Sequence, residues 1–181
     1  MTATSSSAPE GILQWNCRGI AGKVGELRQR LRYGELRVWA LLLQETNALP
    51  PISGFVAYSS PSMLDRRSAT PDVPPGKAAV YVRSTLYQSR VDLSRWCTLW
   101  QEVVAVLVRL QRTDVIIVSY YARPYSGRAA RLCLGWLAHL RPKHPGCPIM
   151  VAWDFNAPHT TLGYAISSAR GTFVLDTFMD A

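Results

Sequence analysis

Lysine is scarce in this chain. Of its 20 basic residues 17 are Arg, and only Lys23, Lys77 and Lys143 are Lys; acidic residues are few as well, 12 in all, which leaves a formal net charge of +8. No stretch approaches the ~20 consecutive apolar residues that cross a bilayer as a helix. The four cysteines (Cys17, Cys97, Cys133, Cys147) form no C-x-x-C pair, and no His stands at ligand spacing from them, which excludes the common zinc sites. They read as small buried residues of a reducing compartment, Cys17 at a strand end and Cys133 on the apolar face of a helix. The opening ten residues, MTATSSSAPE, lack both the basic and the apolar stretch of a secretory signal. Residues 1–10 are therefore expected to be a flexible leader, and the protein to be intracellular. With 48% hydrophobic and 18% charged residues, the composition also excludes disorder, collagen and coiled coil, and 181 residues suit one domain.

What is present begins with that arginine excess. A guanidinium offers planar paired donors that match phosphate oxygens, so the charge permits a polyanionic partner. The same arginines serve equally well to solvate a surface, and charge alone does not choose between the two.

Apolar patterning predicts a short strand over Ile12–Cys17 and a helix over Lys23–Tyr33, where Val24, Leu27 and Leu31 share a face. The run Val38–Leu43 reads as a strand buried on both sides. Residues 59–76, rich in Ser and Pro, read as an exposed loop. Strands follow at Ala78–Val82, Val103–Leu110 and Val115–Tyr121, the last two joined as a hairpin. Ala129, Leu132, Cys133, Trp136, Leu137 and Leu140 mark a helix stopped by Pro142, Cys147–Ala152 another strand, and Arg170–Met179 a final helix. Strands that alternate with helices at both ends and pair as hairpins between them predict an α/β protein with helices covering packed sheets.

Several of these strands end in polar side chains: Asn16, Glu45, Tyr121, and Asp154 with Asn156. Strand ends of a rigid sheet hold side chains in fixed positions while the loops leave access. Singly, each has a plain structural explanation, such as a turn at Asn16 or an Asx-turn at Asp154–Asn156. Together they suit phosphodiester hydrolysis with a divalent ion. Mg²⁺ takes hard oxygen ligands and needs only one or two carboxylates, and Asn and Tyr donors stabilise charge on phosphate oxygens.

At LQWNCRG, LLLQET, YYARP and AWDFNAPHTTLG the sequence resembles the endonuclease/exonuclease/phosphatase (DNase I-like) superfamily, and within it the endonuclease domain of arthropod non-LTR retrotransposons. The resemblance extends from Gly11 to the C-terminus and implies a four-layer α/β sandwich of two mixed β-sheets flanked by helices. It implies Mg²⁺ (or Mn²⁺) as cofactor, the DNA phosphate backbone as partner and a nuclear location. It assigns the principal metal ligand to Glu45 and phosphate binding to Asn16, Tyr121 and Asn156. Proton handling falls to Asp154, and Gln44 stands as a candidate behind Glu45. Tyr120 is read as a packing residue. Arg66 and Arg67 are candidates for DNA contact.

The chain departs from the family pattern twice. Trp153 replaces the Gly of Gly-Asp-x-Asn, and its bulk is expected to shift Asp154 or crowd the site. No Ser-Asp-His segment follows Asn156, so residues 11–181 are expected to be a domain incomplete at its C-terminus, lacking the family's final strands, with weak or no activity. His159 is read as packing or capping its own loop, His139 and His144 as ordinary helix and loop residues, and Asp176 and Asp180 as solvated. Two other readings stay open: a non-catalytic basic nucleic-acid-binding module or retroelement relic, and a phosphoesterase acting on RNA or phosphoinositides.

Overall fold

A computed structural model describes residues 11–61, 75–124 and 133–179. Its elements are β1 (Gly11–Asn16), α1 (Val24–Arg32), β2 (Val38–Gln44), β3 (Phe55–Pro61), β4 (Pro75–Arg83), β5 (Gln88–Val91), β6 (Gln101–Leu110), β7 (Thr113–Ala122), α2 (Gly135–Lys143), β8 (Ile149–Asp154) and α3 (Ala169–Met179). They build two four-stranded sheets, ordered β1-β2-β4-β3 and β5-β6-β7-β8. Each sheet is mixed: β1–β2 and β7–β8 are parallel, and the other pairs antiparallel.

Alternation along the strands produces the layers. Successive side chains point to opposite faces, so Ala40 and Leu42 of β2 meet Val104, Val106 and Ile117 of the other sheet. Leu41 and Leu43 face outward, where they pack with Leu27 of α1, Ile20 and Tyr81. On the far side, Ile116, Val118 and Tyr120 of β7 are covered by Trp136, Leu137 and Leu140 of α2 and by Val174 of α3. The order helix, sheet, sheet, helices is the expected four-layer sandwich. Every residue of β2 is buried, as its unbroken apolar run predicts for a strand covered on both faces. Truncating any of Leu41, Leu42 or Leu43 to Ala is expected to cost roughly 2–5 kcal/mol.

Four sequence expectations need correction. Strands β3 and β5 have no counterpart in the pattern reading, and residues 59–61 and 75–76 of the expected loop belong to strands. Helix α2 runs one residue beyond Pro142 to Lys143: Pro142 has no amide to offer Ala138, but the His144 amide still donates to the Leu140 carbonyl. Ala129 and Leu132, expected in this helix, lie outside the described residues. Cys133 precedes α2 and is exposed, whereas Cys17 and Cys97 are buried as expected.

Strand direction then decides where chemistry can gather. Strands β1 and β2 end, and β4 begins, at one end of the first sheet, with Asn16, Gln44 and Ala78 in register. At the same end of the second sheet, Glu102, the second residue of β6, stands opposite Tyr121, and Tyr121 is aligned with Asp154.

Candidate active site

Asn16 stands at the centre of this end. Its Nδ2 donates to Glu45 Oε1 at 2.9 Å and to Asp154 Oδ2 at 2.6 Å, while its Oδ1 accepts from the Arg18 amide at 3.2 Å. Both amide hydrogens are thus given to carboxylates. The reverse orientation would set an amide oxygen against two carboxylates, so the chemistry fixes which way the group points.

The backbone turns sharply to place these groups. Arg18, Glu45, Asn47 and Asn156 all adopt positive φ (43°, 54°, 53° and 47°), a region that L-residues other than Gly, Asn and Asp seldom occupy. Holding Glu45 there costs on the order of 1 kcal/mol. The turn is secured by hydrogen bonds from the Cys17, Gly19 and Ile20 amides to the carbonyls of Gln44, Glu45 and Thr46. Opposite, the Asn156 amide donates to Asp154 Oδ1 at 3.2 Å, and its Nδ2 reaches the Ala122 carbonyl at the end of β7 at 2.8 Å.

Electrostatics follow from this crowding. Burial and the neighbouring Glu45 charge push the Asp154 carboxyl above the usual carboxylate range, against the hydrogen bonds from Asn156 and Asn16. Tyr121 is pushed up to about 12, chiefly by burial and then by Glu45, with Asp154 and Glu102 adding to it, so its hydroxyl remains a donor at any physiological pH. Tyr120 points the other way. It is fully buried, donates to Gln101 Oε1 at 2.9 Å and packs on Phe155, which confirms it as a packing residue.

Gln44 is buried between the sheets, with Nε2 on Ser119 Oγ at 3.0 Å. It ties the two sheets together directly beneath Glu45. Trp153 does not crowd the site. Alternation turns its ring away from Asp154, onto Phe155 and Phe178 at centroid distances of 5.3 and 5.0 Å, and its carbonyl accepts from Gln14 Nε2. His159 accepts from the Thr161 amide and so caps its own loop, while His139 sits against Arg95 and Trp96. Arg66 and Arg67 lie outside the described residues.

Sequence reading missed a second group beside the first. Glu102, fully buried, pairs with Arg123 Nη2 at 3.2 Å and accepts from Ser60 Oγ at 2.8 Å and from the Lys77 amide. The Lys77 ammonium lies 5.6 Å from the Tyr121 ring centroid. Lys77 thus lies over Tyr121, and Arg123 is near enough to oppose the rise in its pKa. The signal available was Glu102 itself, since a lone carboxylate leading eight residues of near-continuous apolar strand demands a partner. Among the described residues no group of three or more His, Cys, Asp and Glu gathers at metal-binding separation, and no helix is long and apolar enough to cross a membrane.

No family model and no curated protein matches the sequence. Solved structures do. The endonuclease domain of TRAS1, a telomere-specific non-LTR retrotransposon, is similar over 93% of this chain at 22% identity with a TM-score of 0.70. The human Nocturnin catalytic domain is similar over 81% at 18% identity (TM-score 0.54). An endonuclease/exonuclease/phosphatase family protein from Leptotrichia buccalis is similar over 91% at 12% identity (TM-score 0.53). The chain spans 70%, 64% and 71% of those three chains, respectively. Two mixed sheets packed face to face, helices on both outer faces and these structural neighbours identify the fold as the DNase I-like α/β sandwich.

Proposed function

We propose that this chain is a divalent-metal-dependent phosphodiesterase domain of retrotransposon origin that nicks DNA. The observation that carries this reading is the convergence of Glu45 and Asp154 on the single amide of Asn16, with Tyr121, Lys77 and Arg123 nearby. The TRAS1 likeness supports the retroelement origin and the choice of DNA over RNA or phosphoinositide.

The residues fit a divalent cation. Two carboxylates, held together by the Asn16 amide hydrogens, supply hard oxygens, and the Glu45 charge adds to burial in raising the Asp154 carboxyl. Glu45 would hold Mg²⁺ or Mn²⁺, which would neutralise charge on the phosphate when bound. The protein's own groups then divide the work. Tyr121 donates to a non-bridging phosphate oxygen, and Asn156 completes that hold from the other side. Lys77 and Arg123 attract the phosphate and keep it in register. Asp154 takes the proton of the attacking water, a task that its raised basicity favours. Asn16 holds both carboxylates in line.

Activity is expected to be weak. None of the three histidines hydrogen-bonds to Asp154, so no imidazole among the described residues supports it as a base or stabilises the transition state. The test is nicking of supercoiled plasmid with Mg²⁺, beside Glu45→Ala. Slow nicking that vanishes in the variant is the expected result. Equal nicking by both proteins overturns the assignment. A mobility shift that ignores metal, with no cleavage, makes the chain a basic binding module instead.

A further inference from the structure

A cleft of about 690 Å³ opens on the outer face of the first sheet, between α1, the segment after Pro50 and the end of β4. Three of its lining side chains are arginines, Arg28, Arg32 and Arg83, set beside Leu31 and Ile52. Arg83 closes β4, whereas Lys77, near its start, belongs to the catalytic end. The cleft therefore lies toward the opposite end of the sandwich, on the order of 20 Å away for strands of this length.

Arg28 and Arg83 are held in place without being neutralised. Arg28 Nη2 donates to the Pro51 carbonyl at 2.6 Å, and Arg83 Nε to the Val38 carbonyl at 3.1 Å. The Arg83 guanidinium also stacks over Phe55, 4.5 Å from the ring centroid. Each anchored guanidinium keeps further N–H donors. Among the described residues no carboxylate pairs with any of the three; the nearby Glu26 is taken by Arg30. The helix dipole favours Arg32 at the C-terminal end of α1 but does nothing for Arg83, which arrives from another element. Three like charges at one concavity repel one another, and the cost is relieved by an anion bridging them.

We propose that this cleft is a second anion-binding site, separate from the catalytic end, that takes phosphate groups in bidentate fashion. Guanidinium pairs match tetrahedral oxyanions, and the apolar floor of Leu31 and Ile52 suits the sugar or base attached to one. The phosphate comes from a nucleic-acid strand or from free phosphate, and the experiment separates the two.

Fluorescence anisotropy of a labelled ten-nucleotide deoxythymidine strand, with the full chain in EDTA, measures the site without catalysis. Arg28→Gln with Arg83→Gln is expected to weaken binding on the order of tenfold and to flatten the log–log salt dependence by ~1.4, for two lost phosphate contacts. Arg112→Gln with Arg141→Gln removes the same charge from the side of the second sheet and is expected to retain most of the affinity. Arg32 is exposed and makes no side-chain hydrogen bond among the described residues, so Arg32→Gln reports on the cleft without disturbing the fold. Displacement of the strand from the wild type by millimolar inorganic phosphate, without effect on the cleft variant, extends the site to free phosphate. Equal losses in the cleft and control pairs, or no loss in Arg32→Gln and the cleft pair alike, overturn the proposal.

Discussion

Asn16 has two amide hydrogens and gives both to carboxylates, so its removal leaves Glu45 and Asp154 facing each other with no donor between them. Asn16→Ala is expected to slow metal-dependent nicking by about 10²–10³-fold with little effect on folding, read as the rate of open-circle formation beside a thermal melt. Asp154 supplies a prediction that needs no activity. Its folded carboxyl titrates above the unfolded one, so the folded state binds the proton more tightly and the charged form costs stability. That cost is absent below the unfolded value near 3.8 and is fully present once pH exceeds the folded value. In EDTA, Asp154→Asn should therefore raise Tm at pH 7 and leave it unchanged at pH 3. A Tm that falls at pH 7 would show that the charge is stabilising. Tyr121 adds a simpler expectation: with its hydroxyl pushed up to about 12, nicking should show no loss from this group as pH rises from 7 to 9.5. The position of the five candidate residues at strand ends was legible in sequence because each follows an apolar run. Lys77 and Arg123 were not, since a single basic residue in an arginine-rich chain carries no distinguishing signal until the fold sets it against Tyr121.

Between elements, the buried Glu102 joins strands of both sheets, and Gly76 makes room for it. A Cβ at Gly76 would fall well inside van der Waals contact with Ser60 and 2.5 Å from Glu102 Oε2. Gly76→Ala is thus expected to destabilise by about 1–3 kcal/mol, seen as a lower urea midpoint at unchanged slope. Glu102→Ala should cost more, roughly 3–5 kcal/mol, because Arg123 is left largely buried without its partner. Six strands and the terminal helix were readable to within a few residues, because apolar runs such as Val38–Leu43 have no other low-energy fate. The missed strands explain themselves. β5 is four residues, Gln-Ser-Arg-Val, at a sheet edge, and only its ladder to β6 makes it a strand. β3 is likewise an edge strand, half-buried and ending in Ser-Ser-Pro, so its composition reads as loop while its pairing with β4 decides otherwise.

Across the whole molecule, the +8 charge sets how tightly any nucleic acid is held. With about four phosphate contacts, affinity for duplex DNA should fall on the order of a hundredfold between 50 and 200 mM salt. Binding that is indifferent to salt would remove phosphate as the principal ligand. The two sheets also divide the candidate site: Asn16 and Glu45 come from the first, Tyr121, Asp154 and Asn156 from the second. Asn16 and Asp154 are 138 positions apart in the chain, yet they share a hydrogen bond. During synthesis at about 5–20 residues per second, roughly 7–28 s separate the two residues at the ribosome. The first sheet can form long before the second exists, and a nascent chain that has not reached Asp154 carries only half of the candidate site. The seam between the sheets thus leaves the candidate site unassembled until the strands of both sheets have been made.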